Sequence, residues 1–125
     1  MPAALVTEFI TAIERGELES ALALLSEDVE YDNVPMGKTF GRNAVGKTLA
    51  PFLARYDRVE WVVHHQVASG DHTHGVVMNE RLDRFGKGDS WLEMPVAGLF
   101  VVDDGLITLW RDYFDRDTLV KMLGA

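Results

Sequence analysis

Beyond Arg58 the chain runs in four stretches rich in β-branched and aromatic residues, 59–67, 74–85, 90–102 and 106–114. The joints between them, Ser69-Gly70-Asp71, Gly86-Lys87-Gly88-Asp89 and Asp103-Asp104-Gly105, are short and made of turn formers. A parallel pair of strands needs a crossover of about a dozen residues, so joints this short force antiparallel neighbours. The first half reads differently. Leu5, Val6, Phe9, Ile10 and Ile13 recur at helical spacing behind Pro2, which predicts a helix over 2–15. A second stripe, Leu18, Ala21, Leu22 and Leu25, predicts a short helix over 17–26, and 29–33 reads as a strand ended by Pro35. Val45, Leu49, Phe52 and Leu53 predict a helix over 43–56, kinked or divided at Gly46 and Pro51. Asp115 or Asp117 caps a last short helix. Helices gathered before a curled antiparallel meander make one α+β domain over 1–125, whose concave sheet face closes over a pocket.

The length of 125 residues and the 47% apolar content allow such a domain a core without staples, and the chain has no cysteine. That removes disulfides, a thiol nucleophile and cysteine metal sites. A formal charge of −8, from 12 basic and 20 acidic residues, disfavours nucleic acid and anionic lipid as partners and leaves small neutral or cationic ones. No stretch reaches the roughly 18 apolar residues of a membrane span. The opening residues also lack the basic start of a signal peptide, and the expected compartment is the cytoplasm.

One motif misleads. Gly41-Arg42-Asn43-Ala44-Val45-Gly46-Lys47-Thr48 satisfies G-x-x-x-x-G-K-T, and the run 98–102 ending in Asp103 could pass for a magnesium-binding strand. A phosphate loop works only between a buried parallel strand and a helix, where amides and the helix dipole converge on phosphate. The residues before the loop, 35–40, read as no strand, and the later strands are hairpin-connected. The reading here is a loop ended by Gly41, a helix capped by Asn43, and an exposed Lys47.

Polar residues inside the apolar strands say more. Alternation places Asn79, Arg81, Asp83 and Phe85 on one face, and Trp110, Asp112 and Phe114 on one face of the last strand. Tyr31 and Asn33 share a face of the first strand. If Arg81, Asp83, Asp112, Tyr31 and Asn33 converge in one apolar cone, two carboxylates cannot both ionise cheaply. An arginine between them can hold one charged and leave the other protonated, which supplies one base and one acid. A tyrosine hydroxyl and an asparagine amide can help such a base hold one water. The alternative is an exposed Arg81/Asp83 pair at a sheet edge, with Asp112 paired to Arg111 or Arg116. Met78, Phe85, Met94, Val96, Trp110 and Phe114 are core or pocket lining. His72 and His74 have strand spacing for metal ligands but no third partner, so no metal site is assigned. His64 and His65 face opposite sides of their strand. No serine has a nucleophile-elbow context.

Three segments, Tyr31-Asp32-Asn33-Val34-Pro35, Glu80-Arg81-Leu82-Asp83 and Trp110-Arg111-Asp112-Tyr113-Phe114-Asp115, resemble the limonene epoxide hydrolase family. This family lies within the SnoaL-like and ketosteroid-isomerase-like group of folds. The resemblance covers nearly the whole chain in element order. It implies a curved, mixed and largely antiparallel sheet forming a cone-shaped pocket under N-terminal helices, a cystatin-like α+β barrel. It also implies one-step hydration of a small terpene-like or alicyclic epoxide to a vicinal diol, with no cofactor and no metal. By the same resemblance Asp112 is the base for a water held with Tyr31 and Asn33. Asp83 is the acid, Arg81 bridges the two carboxylates, and the protein is a homodimer paired through its sheet. A noncatalytic binding domain of the same fold, or a related isomerase or cyclase, is the other reading, because this fold hosts many functions.

Overall fold

The computed structural model describes residues 2–124; Met1 and Ala125, the two ends of the expected domain, lie outside it. The elements follow in the order α1 (Pro2–Glu14), α2 (Leu18–Leu22), β1 (Leu25–Asn33), β2 (Gly37–Phe40), α3 (Arg42–Leu53), β3 (Arg58–Gly70), β4 (His74–Lys87), β5 (Ser90–Asp103), β6 (Leu106–Phe114) and α4 (Arg116–Gly124). Six strands form one sheet in the order β2-β1-β6-β5-β4-β3. All neighbours are antiparallel except β1 and β6, which run parallel, as their long separation in sequence permits.

The apolar stripe of α1 fills the concave side of this sheet. Phe9 meets Trp110 edge-on with centroids 5.0 Å apart, and Trp110 in turn stacks on Tyr31 at 3.9 Å. Val6, Phe9, Ile13, Val45, Phe100 and Trp110 are all essentially inaccessible to water. Each such side chain contributes about 1.5–3 kcal/mol relative to exposure. The sheet and helices are therefore joined by one continuous core, and the strands that carry Asp83 and Asp112 are held at its centre.

Four local expectations need correction. The second helix is a single turn, and β1 begins at Leu25 rather than at 29. Leu25 pairs with Ile107, whose N–H donates to the Leu24 carbonyl at 2.9 Å, so the leucine that completes the helical stripe belongs to the sheet. Residues 37–40 form an edge strand. Its exposed side chains give no apolar alternation, but a turn in which the Met36 N–H donates to the Asn33 carbonyl folds it back onto β1. Helix α3 starts at Arg42 behind Gly41, not behind Asn43: the Gly41 carbonyl accepts the Val45 N–H at 3.0 Å, and its φ of 93° suits a glycine. The helix also runs unbroken through Gly46 and Pro51, and the Ala54 N–H still bonds to the Ala50 carbonyl at 3.0 Å.

The G-x-x-x-x-G-K-T match dissolves in this geometry. The strand before it is an exposed antiparallel edge, and Lys47 is exposed. Gly46 is there for packing: a Cβ would come within 2.8 Å of the Leu22 side chain, so glycine lets α3 approach α2. At the other end, Asp115 rather than Asp117 caps α4, accepting from the Thr118 N–H at 3.1 Å and its hydroxyl at 2.8 Å. No described helix is long and apolar enough to cross a membrane.

Candidate active site

Strand alternation lays Asn79, Arg81, Asp83 and Phe85 on the concave face of β4, and all four are buried. Asp112 projects from β6 between the rings of Trp110 and Phe114. In the parallel β1/β6 ladder Asn33 stands beside Asp112 and Tyr31 beside Trp110. The five residues of the sequence constellation therefore share one face of three strands. Arg81 is 1% exposed, Asp83 3% and Asp112 5%, which excludes the alternative of an exposed edge pair. Arg111, the rival partner for Asp112, points the other way and holds Asp32 and Glu30 at 2.9 and 3.0 Å.

The Arg81 guanidinium organises the site. Its Nε and Nη2 donate to the two oxygens of Asp83 at 2.9 and 3.0 Å, and Nη2 also reaches Asp112 Oδ2 at 3.1 Å. Nη1 donates to Asn79 Oδ1 at 3.1 Å, and the Asn79 amide is oriented by Gln66 at 3.2 Å. The Trp61 ring lies 5.1 Å from the guanidinium carbon. One oxygen is left over: the buried Asp112 Oδ1 has no hydrogen-bond partner among the described residues. A buried, unsatisfied carboxylate oxygen is costly and calls for a donor from outside the chain, such as a water or a ligand hydroxyl.

The electrostatics follow from burial. Removal from water pushes the Asp83 carboxyl up from its ordinary 3.8 to about 6, against the opposing pull of Arg81. The bidentate guanidinium contact favours the ionised form, burial disfavours it, and burial wins. For Arg81 burial works downward, but the charges of Asp112 and Asp83 overcome it, and the guanidinium stays charged. Burial, reinforced by the Asp112 charge, raises the Tyr31 phenol, so Tyr31 is a neutral hydroxyl able to donate and accept.

These groups sit at the closed end of a cavity of ≈ 370 Å³, lined by Tyr31, Asn33, Asp83 and Asp112 together with Trp61, Phe85, Met94, Phe114, Leu49 and Phe52. Met36, Thr48, Pro51, Arg55, Leu119 and Leu123 complete it from the β1/β2 turn, α3 and α4. Of the lining expected from sequence, Phe85, Met94 and Phe114 reach the cavity. Met78 does not: it is 46% exposed on the opposite face, because an even-numbered residue of β4 points away from Arg81. Val96 and Trp110 are buried in the core beside the cavity and do not line it. His64, His65 and His72 are exposed, and His74 pairs with Asp103 at 2.7 Å. Among the described residues no cluster of three or more His, Asp or Glu side chains has metal-binding geometry.

Trp61 and Gly98 are among the contributors that escape a sequence reading. Trp61 is the inward residue of β3 paired with Asp83, hidden among equally apolar neighbours. Gly98 lies between Asn79 and Asp112 in the ladder, where a Cβ would collide with Arg81 Nη1 and come within 2.9 Å of Asn79 Oδ1 and 3.1 Å of Asp112 Oδ1. A glycine inside a strand is the available signal, since it marks close approach by another group.

The curved mixed sheet, its helical cover and a polar cluster at the closed end of an apolar cone define an NTF2-like, SnoaL-like pocket protein. An NTF2-like protein from Cytophaga hutchinsonii shares that fold at a TM-score of 0.72 and 22% identity, over 96% of this chain and 95% of that one. A closer match is an LEH-like epoxide hydrolase structure from Mycobacterium tuberculosis, with a TM-score of 0.75 and 31% identity, covering 94% of this chain and 85% of that chain. In sequence, the epoxide hydrolase EphG of M. tuberculosis (strain ATCC 25618 / H37Rv) is 36% identical over 121 residues, 94% of this chain and 76% of that protein. Residues 1–124 match the limonene-1,2-epoxide hydrolase catalytic domain, and the chain belongs to that family of epoxide hydrolases.

Proposed function

We propose that the chain adds water to a small terpene-like or alicyclic epoxide in one step and releases the vicinal diol. The observation that carries this reading is the Arg81 bridge between two buried carboxylates, one of which keeps an unpartnered oxygen, Asp112 Oδ1, beside an apolar cavity. Water sits between Asp112 Oδ1, the Tyr31 hydroxyl and the Asn33 amide. Asp112 takes one of its protons while the water oxygen attacks an oxirane carbon. The carbon–oxygen bond at that carbon breaks, and the oxirane oxygen receives the proton of the Asp83 carboxyl. One proton is gained at Asp112 and one lost at Asp83, so transfer between them through solvent or product restores the pair. Arg81 keeps its charge throughout and offsets the single negative charge the pair carries before and after reaction. Only groups of this chain and water act in these steps, so no metal or cofactor has a role.

The cavity volume is in the range that holds a small apolar ligand. We also infer a homodimer joined through the convex sheet face, where Val62, Val67, Met78 and Tyr113 are exposed. Light scattering at micromolar concentration should give twice the chain mass, and a monomer would refute the pairing. The test of activity is incubation with limonene oxide, cyclohexene oxide and styrene oxide. Diol should form with the wild-type protein and not with Asp112→Asn, and diol formation by that variant at a near-normal rate would remove the base assignment.

A further inference from the structure

The catalytic cavity has three charged lining residues. Asp83 and Asp112 are buried at its closed end, whereas Arg55 is exposed, on the stretch that follows α3. One Arg55 nitrogen, Nη2, donates to the Leu123 carbonyl at 3.2 Å, and no carboxylate lies within ion-pair distance among the described residues. Arg55 also lines a second hollow of ≈ 280 Å³ with Tyr56, Lys87, Ser90, Leu92 and Met122. Among the described residues that hollow holds two cationic side chains and no acidic one. The Asp57 carboxylate, next in sequence to Tyr56, is not part of this lining and accepts from the Gly88 N–H at 2.9 Å. In a chain of net charge −8, two exposed cations that share a hollow, with no acidic partner among the described residues, mark a place for an anion.

We propose that this outer hollow is a subsite for the carboxylate end of an amphipathic epoxide, whose apolar body occupies the catalytic cavity. Arg55, common to both hollows, joins them. The arrangement suits such a molecule physically. The oxirane enters the closed end, and the carboxylate rests where Arg55, Lys87 and Ser90 are exposed, so it keeps part of its hydration and avoids the desolvation cost of a buried ion. Arg55 has further N–H groups beyond the one given to Leu123, and a guanidinium can grip a carboxylate through two of them. The overall acidity of the chain acts against anionic ligands at long range. At physiological salt it is screened beyond about 8 Å, so the local cations decide at the mouth.

This inference rests on the proposed epoxide hydrolysis, and its test separates the two. A flexible chain that can span the hollows serves as probe: undecanoate and undecan-1-ol for binding by calorimetry, 10,11-epoxyundecanoate and its methyl ester for turnover. In the Arg55→Met/Lys87→Met variant the ratio of undecanoate to undecanol affinity should fall about tenfold. The acid-to-ester ratio of kcat/KM should fall by a similar factor, and in the wild type that ratio should decline as salt rises. Unchanged ratios in the variant would overturn the subsite. Diol from neutral epoxides without any preference for the acid also overturns it while leaving the hydrolase reading in place. A charge-dependent binding ratio with no diol from any epoxide upholds the subsite and overturns the hydrolase reading.

Discussion

Replacing Gly98 by alanine should disable the site without touching a reacting group. The added Cβ lies on top of Arg81 Nη1 and within 2.9 Å of Asn79 Oδ1 and 3.1 Å of Asp112 Oδ1. Real Cβ contacts of this kind are near 3.4 Å or more, and the strand cannot move away because Gly98 is paired on both sides, to Asn79 and to Asp112. The guanidinium must therefore shift by about 1 Å, a misplacement that costs on the order of 10²-fold in rate when it disturbs reacting groups. Stability should fall too. Overpacking a closed core costs about 1–3 kcal/mol, and loss of one charge-assisted buried hydrogen bond about 1.5–3 kcal/mol. Because relaxation gives up one to spare the other, the expected loss is about 1–3 kcal/mol. For a chain of this size that is a drop in Tm of roughly 3–15 °C. Differential scanning calorimetry and diol formation at saturating epoxide read the two effects. A Gly98→Ala protein with native Tm and native kcat would show that the Asn79-Arg81-Asp112 cluster does not need the space, and the geometry of the site would be wrong.

Substitution of the charged residues should separate their roles. Asp112→Asn and Asp83→Asn should each reduce kcat by about 10²–10⁴-fold with native circular dichroism. Arg81→Ala should lose activity and also about 3–5 kcal/mol of stability, since it strands two buried carboxylates; equal melting of Arg81→Ala and wild type would contradict this. The pH dependence follows from the raised Asp83 carboxyl. Its contribution to stability is full below the ordinary 3.8 and is lost as pH rises through about 6, a difference of about 3 kcal/mol. The acid must carry its proton, so kcat/KM should fall as pH rises through the same region. A flat profile from pH 5 to 8 would argue against Asp83 as the acid. Activity should survive exhaustive chelation, and loss of activity restored by zinc would overturn the mechanism.

How much could be read in advance varied with the physics of each element. Period-two alternation needs only local sequence, so it places Arg81, Asp83 and Phe85 on one face of β4 and Asp112 with Trp110 and Phe114 on one face of β6; burial shows both to be the inner face. The arrival of Tyr31 and Asn33 beside Asp112 needs the β1/β6 pairing, a parallel contact between residues about 80 apart that no short-range pattern encodes. Met78 shows the limit of composition: a large apolar side chain reads as core or pocket lining, although alternation already places it opposite Arg81. Leu25 shows the limit of periodicity, because one more leucine in a helical stripe cannot reveal that it pairs with Ile107 in a sheet. Residues 37–40 give no strand signal in the sequence because an exposed edge strand carries no apolar signature. Arg55, Leu119 and Leu123 reach the cavity from the stretch after α3 and from α4, and their part depends wholly on how those segments fold over the cone.

Direct activation of water by Asp112 is the claim on which the rest depends, and oxygen-18 tests it in one turnover. Enzyme in excess over epoxide is run in labelled water, and both diol and protein are weighed by mass spectrometry. Direct attack places the heavy oxygen in the first diol formed and leaves the protein unlabelled. A covalent route through an aspartate ester delivers an unlabelled carboxylate oxygen to that first diol and leaves the label in the protein. Labelled first-turnover diol is the predicted result; unlabelled diol with oxygen-18 in Asp112 or Asp83 would contradict it.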